Sequence, residues 1–135
     1  MQSGMTIGRL AKAAGMHVET IRYYQRRGLL DEPKKPLGGQ RRYPPQAVLR
    51  LGFIRRAQNL GFSLEEVKSL LAFADGRHAA ETRAIAEKKL ATLATRAAEL
   101  ARMQEQLAAL IEASRRTRSG RDPFVEALLD KPEAR

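Results

Sequence analysis

The feature that most constrains this fold is a long run without helix-breaking residues. From Ala80 to Ser114 the sequence contains neither glycine nor proline, and apolar residues recur at the a and d positions of a seven-residue repeat, as in a coiled coil. At about 1.5 Å per residue such a helix is roughly 50 Å long, and a domain this small cannot cover one stripe of that length. We therefore predict a homodimer through this stripe; the alternative is an intramolecular hairpin against the tail. The a positions are Leu90, Ala97, Gln104 and Ile111, and the d positions are Ala86, Leu93, Leu100, Leu107 and Ser114, of which those from 90 to 111 form the predicted dimer interface.

Positive charge is concentrated in the first half of the chain. Residues 1–58 contain twelve Lys or Arg and three Asp or Glu, a net charge of +9, whereas residues 59–135 contain thirteen and twelve, a net charge of +1. A strongly basic half suits a polyanion, and nucleic acid is the first candidate. The chain has no cysteine, which excludes disulfides and thiolate-bound metals. Because no apolar run is long enough to span a membrane and the first residues lack a signal-peptide pattern, we expect a cytoplasmic protein with no membrane partner.

Two short helices joined by a tight turn are predicted near the start of the chain. Thr6 can cap a helix over residues 7–14, whose apolar residues follow helical spacing, and Gly15 can end it as a left-handed cap. A second helix is predicted over residues 18–26 and ended by Gly28. Two such helices with a glycine in the turn are typical of a helix-turn-helix.

A basic hairpin is predicted directly after these two helices. Leu29 and Leu30 can form a short strand, while prolines and a pair of glycines over residues 33–39 exclude a long helix and favour a tight turn. The return arm carries Arg41, Arg42 and Tyr43, which would contact phosphates or the minor groove. A hairpin of this kind beside a helix-turn-helix is a wing; the alternative is a surface hairpin without a function.

Two further helices complete the predicted first domain, and the fold class is mostly α. Pro45 can open a helix, and Ser63 can begin a capping box with Glu66 for the next helix over residues 64–74.

The predicted domains are a winged helix-turn-helix DNA-binding domain with its two following helices at 1–75, a hinge loop at 76–79, a coiled-coil dimerisation helix at 80–114, and an effector-region loop with a short helix at 115–135.

The second short helix is the predicted reader of DNA. Arg22 can bond a guanine edge or a phosphate, and Glu19 and Thr20 lie near the helix start, where recognition helices usually meet bases. The alternative is a solvated face with aromatic side chains lying along it, and Tyr24 is expected to be partly core. The candidate DNA-binding residues are Lys12, Glu19, Thr20, Arg22, Tyr23, Tyr24, Arg26, Arg41, Arg42 and Tyr43.

The sequence contains no catalytic constellation. Its only histidines are His17 and His78, and no nucleophile, base and acid stand at useful positions, so an enzyme is not expected. His78 with Asp75 and Glu81 can be interpreted as a zinc or hard-ion site, but a loop or capping role is the alternative, because no second ligand with zinc spacing is nearby. We therefore expect no metal among these residues and no evident cofactor.

Three segments occur in order along the chain and are followed by the long helix: "MTIGRLAKAAGMHVETIRYYQRRGLL", "GGQRRYP" and "RRAQNLGFSLEEVKSLL". Taken together they resemble the MerR family of bacterial transcriptional regulators, and "ADGRH" and "AEKKL" are similar to its mercury-responsive branch. The resemblance implies a homodimer of winged helix-turn-helix units joined by an antiparallel coiled coil and located at the nucleoid. It also implies a pseudo-palindromic operator between over-spaced promoter elements, where an effector makes the dimer distort the DNA so that RNA polymerase engages both elements and repression becomes activation.

The chain departs from that branch at its metal site. Mercury sensors of the family bind the metal through three cysteines, and the matching positions here are Ala79, Ser114 and Asp122. None of them is a thiolate, and soft metals require sulfur. The candidate effector region is therefore formed by these three residues and His78, with an effector other than thiolate-bound mercury. The alternatives are a sensorless constitutive family member and a structural protein that binds DNA without sequence choice.

Overall fold

The computed structural model of the protein describes residues 4–129 and is mostly helical. No strand forms within this range, although Met5 and Tyr43 make one isolated antiparallel bridge. The predicted fold class, a helix-turn-helix followed later by a long helix, is confirmed. The helices of the described range are α1 Ile7–Ala14, α2 Val18–Arg26, α3 Gln46–Asn59, α4 Leu64–Leu71, α5 Ala79–Arg116 and α6 Pro123–Leu129.

The ends of the short helices are set by the residues that the sequence offered as caps. The Thr6 hydroxyl accepts a hydrogen bond from the Arg9 amide at 3.3 Å, and Gly15 ends α1 at φ +67° in the left-handed region. Ser63 and Glu66 form a complete capping box at the start of α4. Because these groups satisfy helix-end amides locally, the predicted starts of both helices are confirmed. The end of α4 was predicted three residues too late, since the helix stops at Leu71.

The described chain divides into two compact units between Lys89 and Leu90. In the first unit, α1 packs against α2 and α3, and α3 packs against α4. The side chains that are almost completely buried belong to these helices and to the segment after α2. Ile85, on the second turn of α5, packs against the same core, so the start of the long helix belongs to this unit. These central core residues are Leu10, Ile21, Leu29, Tyr43, Leu51, Ile54 and Val67.

The segment between α2 and α3 is an irregular loop, so the predicted strand at Leu29 and Leu30 was wrong. Both leucines are buried in the core without strand pairing. Prolines at positions 33 and 36 lack the amide hydrogen that a ladder between two arms would need. The return arm pairs with the residues before α1 instead, because Met5 and Tyr43 exchange backbone hydrogen bonds at 2.9 and 2.8 Å. We call residues 31–43 the wing loop.

The second unit contains the rest of α5 and α6. Neither helix has a buried residue, and the leucines of the seven-residue repeat are strongly exposed, with Leu90 at 68% and Leu100 at 60%. The predicted C-terminal segment at 115–135 extends beyond Leu129, and its residues from 130 onward lie outside the described residues. Within residues 4–129, every helix is too short or too polar to cross a membrane.

Candidate nucleic-acid interface

Helix α2 is fixed to the core by one face. Ile21 is completely buried, and Tyr24 is 7% exposed. The Tyr24 hydroxyl donates a hydrogen bond of 2.7 Å to the Gln58 side chain on α3, and burial, partly opposed by the charge of Arg55, raises the pKa of this phenol. Tyr24 is therefore a core residue with a satisfied hydroxyl, and its role at the interface is to orient α2.

The opposite face of α2 presents charged and aromatic side chains. The Arg22 Nε lies 3.8 Å from the Glu19 carboxylate, and both side chains are largely exposed. The Tyr23 ring has the guanidinium groups of Arg26 and Arg27 at 5.9 and 5.7 Å from its centre, and Arg27 also donates to its hydroxyl at 3.0 Å. Because exposed ion pairs contribute little stability, this cationic face can exchange its internal partners for phosphate or base edges.

Arg22 and Arg41 lie on one cleft of about 490 Å³. The cleft is bounded by the start of α1, the outer face of α2 and the wing loop, and Gln25, Lys35 and Gln40 also line it. Among the described residues, the only carboxylate on its lining is that of Glu32, which lies 3.6 Å from the Arg41 guanidinium. A surface with several arginine and amide donors and a single acidic group is suited to the phosphates and base edges of a duplex.

Tyr43 lies in the core, although the sequence suggested a DNA contact for it. Its side chain is 2% exposed, and its hydroxyl accepts a 2.6 Å hydrogen bond from the Gln25 side chain. That bond ties the end of the wing loop to α2 and gives Tyr43 a positioning role. Tyr43 also lines the cleft with Arg22 and Arg41, so its DNA contact stays a prediction. Its neighbours remain candidates, since Arg41 is half-buried and Arg42 is exposed.

The remaining candidates lie at the margin of this surface. Lys12 is exposed on the last turn of α1, and Thr20 is half-buried on the first turn of α2. The sequence prediction omitted Gln25, although it lies three residues after Arg22 and therefore on the same helical face. It also omitted Gln40, because no periodic pattern marks which side chains of an irregular loop face a cleft.

His78 makes local contacts in the loop before α5. Its imidazole nitrogens lie 3.6 Å from the Asp75 carboxylate and 3.9 Å from that of Glu81, and its ring centre is 5.0 Å from that of Phe73. Its carbonyl accepts from the Thr82 amide. These contacts fit the loop and capping role. Within residues 4–129, no three His, Asp or Glu side chains are grouped to hold a metal ion.

The other residues of the candidate effector region lie at the ends of helices. Ala79 is the first residue of α5 and is exposed. Ser114 is half-buried near the end of α5, where its carbonyl accepts from the Thr117 amide. Asp122 precedes α6 and caps it, since its carboxylate accepts from the Phe124 amide at 3.1 Å. Asp122 therefore has a structural role whether or not it contacts an effector.

Comparisons with known proteins agree with this arrangement. Residues 5–74 match the family model described as MerR HTH family regulatory protein, and residues 48–110 match the model described as MerR, DNA binding. A mercuric resistance operon regulatory protein of Shigella flexneri is 51% identical over 107 residues, which are 79% of this chain and 74% of that protein. A homologue of the HTH-type transcriptional regulator ZntR from Haemophilus influenzae is 44% identical over 110 residues, 80% of this chain and 82% of that protein.

A solved structure shows a similar fold. The transcription regulator PbrR691 of Ralstonia metallidurans CH34, in complex with lead(II), is similar with a TM-score of 0.80 and 31% identity. The similarity covers 92% of this chain and 98% of that one.

Proposed function

The chain belongs to the MerR family of helix-turn-helix transcriptional regulators and is not an enzyme; from that premise we propose that it acts as a homodimer on one pseudo-palindromic operator. The observation that carries the proposal is the cleft on which Arg22 of α2 and Arg41 of the wing loop lie together. Helix α2 enters the major groove while the wing loop follows the phosphate backbone. The DNA-binding unit of one subunit can therefore both read bases and hold its register on the duplex.

The α5 stripe supports the dimer. Leu90, Leu100 and Leu107 are 68%, 60% and 49% exposed in the single chain, and a regular apolar stripe of this length is the signature of a coiled coil. Antiparallel pairing with a second copy buries the stripe and holds the two DNA-binding units at a fixed separation. This separation then selects the spacing of the operator half-sites.

Distortion of the bound DNA is the proposed switch. An extra base pair between promoter elements rotates one element by about a tenth of a turn, given about 10 to 10.5 base pairs per turn. Bending or untwisting a site of this size costs on the order of 1 to 6 kcal/mol, which added phosphate contacts can supply. A dimer that changes shape with its effector can thereby present both elements to RNA polymerase and convert repression to activation.

The effector differs from a thiolate-bound metal. The relatives include a mercuric resistance regulator and a lead-bound regulator, but this chain contains no cysteine, and soft metals require sulfur ligands. We propose that the effector response depends on His78, Ala79, Ser114 and Asp122. Replacing Ser114 and Asp122 changes the transcriptional response if this assignment is right; an unchanged response would favour a sensorless, constitutive member.

Binding to a selected duplex tests the proposed function. Duplexes enriched from a random pool by the purified protein are expected to share a palindrome, which nuclease protection then locates between the two elements of the regulated promoter. Arg22→Ala is expected to weaken binding to that duplex by about fivefold to 150-fold, because a bidentate arginine contact contributes about 1 to 3 kcal/mol of discrimination. Arg77→Ala, in the exposed loop before α5, is the matched control and retains wild-type affinity.

Salt dependence separates this function from binding without sequence choice. A specific regulator keeps a large affinity ratio between its palindrome and random DNA at moderate salt, whereas a compaction protein loses affinity for every duplex equally. Equal affinity for palindromic and random duplexes would contradict the proposal.

A further inference from the structure

The tip of the wing loop presents a fully exposed leucine. Leu37 has the most exposed large apolar side chain of the described chain, whereas Leu29 and Leu30 at the start of the same segment are buried. The tip is a tight turn in which the Gly39 amide donates to the Pro36 carbonyl at 3.2 Å, and Gly38 has φ +70°. A positive φ at the third residue is the requirement of a type II turn, which places Leu37 at the outermost corner.

The base of the wing loop is anchored on both arms. Arg41 Nε donates to the Pro33 carbonyl at 2.9 Å, which connects the outgoing arm to the return arm. Beyond this contact, Tyr43 is held by the backbone of Met5 and by the side chain of Gln25. Two prolines restrict the outgoing arm further. The tip is therefore presented in an ordered loop, so seating it against a partner loses little conformational entropy.

The charge around the tip selects the partner. The wing loop carries Lys34, Lys35, Arg41 and Arg42 against Asp31 and Glu32 at its start, and no acidic residue occurs from position 33 to position 64. An apolar tip between cationic arms complements a groove whose floor is apolar and whose walls are phosphates. The arms of the wing loop border the cleft that contains Arg22 through Lys35 and Gln40, so a duplex seated on α2 would lie beside these arms.

We propose that Leu37 is an apolar wedge that enters the minor groove of the operator and contributes to its distortion. This inference rests on the proposed function, to which it adds the residue that deforms the duplex. Proteins that insert leucine and similar side chains between base steps partly unstack them and kink the duplex by about 20 to 90°. The lysines and arginines on the two arms bind the phosphates on either side of the groove, while the Leu37 side chain moves out of water into the groove.

Substitution of Leu37 tests the wedge on the duplex selected by the wild-type protein. Leu37→Ala is expected to lower affinity for that duplex by about tenfold, in line with the loss of one buried leucine side chain. It is also expected to reduce the bend that fluorescence energy transfer between the duplex ends reports. Leu37→Phe keeps a large apolar side chain and is expected to retain most of the bend. Because the side chain is fully exposed, the melting temperature of the free protein stays unchanged.

A second exposed leucine provides the control. Leu49 lies on α3 at 72% exposure, and Leu49→Ala is expected to leave both affinity and bend at wild-type values. Wild-type affinity and wild-type bending by Leu37→Ala would overturn the wedge while leaving the proposed function intact. The same DNA results combined with a loss of activation by RNA polymerase would also overturn the wedge, because the tip would then contact a protein and not the duplex. Failure of the wild-type protein to select any duplex would overturn the proposed function and the wedge together.

Discussion

Glu66 serves two structural roles with one carboxylate. It accepts from the Ser63 amide at 2.8 Å, which completes the capping box of α4, and it lies 2.8 Å from the Lys89 ammonium. The Lys89 side chain is 11% exposed, and its ammonium lies 5.6 Å from the centre of the Phe62 ring. The hydrogen bond from Lys89, followed by that from the Ser63 amide, lowers the pKa of Glu66 from 4.5 to about 2. This carboxylate therefore fixes the third turn of α5 to the start of α4.

Glu66→Gln is expected to destabilise the protein at neutral pH and to matter less in acid. Glutamine can still complete the capping box, so the substitution isolates the charge. A carboxyl whose pKa is lowered by folding contributes stability above its unfolded pKa of 4.5, and that contribution disappears as the pH falls toward 2. The difference in melting temperature between wild type and variant should therefore shrink as the pH falls from 5 to 3. Calorimetry at a series of pH values measures it.

Glu65→Gln is the matched control for this pH series. Glu65 lies in the same helical turn, and its carboxylate is 3.5 Å from Arg27 with both side chains largely exposed. Solvent screens such a pair, so the control should change little between pH 5 and pH 3. A Glu66→Gln difference that stays constant over this pH range would contradict the role given to the Lys89 contact.

At the scale of the helices, the contribution of the Ser63 cap of α4 to stability can be tested. The Ser63 hydroxyl accepts from the Glu66 amide at 3.2 Å, and α4 contributes the buried side chains of Val67 and Leu71 to the core. Ser63→Ala removes this acceptor and is expected to cost about 1 kcal/mol. Urea unfolding measures the loss. Ser69→Ala is the control, because the Ser69 hydroxyl only bonds back to the Glu65 carbonyl within the helix, and alanine favours the helix interior. Equal stability of the two variants would mean that the capping box is not needed.

The same caps explain which elements the sequence predicted. Thr6, Gly15 and Ser63 act through neighbours within five residues, so local pattern was enough to place α1 and the start of α4. The prediction for the wing loop was wrong because the backbone pairing of this loop is not local. Tyr43 bonds to Met5 and Gln25, which are distant in sequence, and flanking arginines and prolines made it look exposed. Nothing local distinguishes an aromatic residue that closes a core from one that touches DNA.

At the scale of the whole molecule, α5 presents an apolar stripe that α6 is too short to cover. The stripe extends from Leu90 to Ile111, whereas α6 has seven residues. The intramolecular hairpin considered from the sequence therefore leaves most of the stripe in water. A second copy can cover it along its length, and this asymmetry favours the dimer.

Leu100→Glu is expected to dissociate that dimer and to weaken operator binding. Leu100 occupies a d position, and a carboxylate buried there against a second helix would lose its hydration without a partner. DNA binding falls with it, because two linked heads bind two half-sites far more tightly than one head binds one. Sedimentation gives the mass of the particle, and a gel-shift titration gives the affinity. Ala98→Glu adds the same charge at a b position, which faces away from the stripe of a and d positions. This variant should remain dimeric. A wild-type protein that sediments as a monomer at micromolar concentration, or a Leu100→Glu variant that remains a dimer, would contradict the paired-helix assembly.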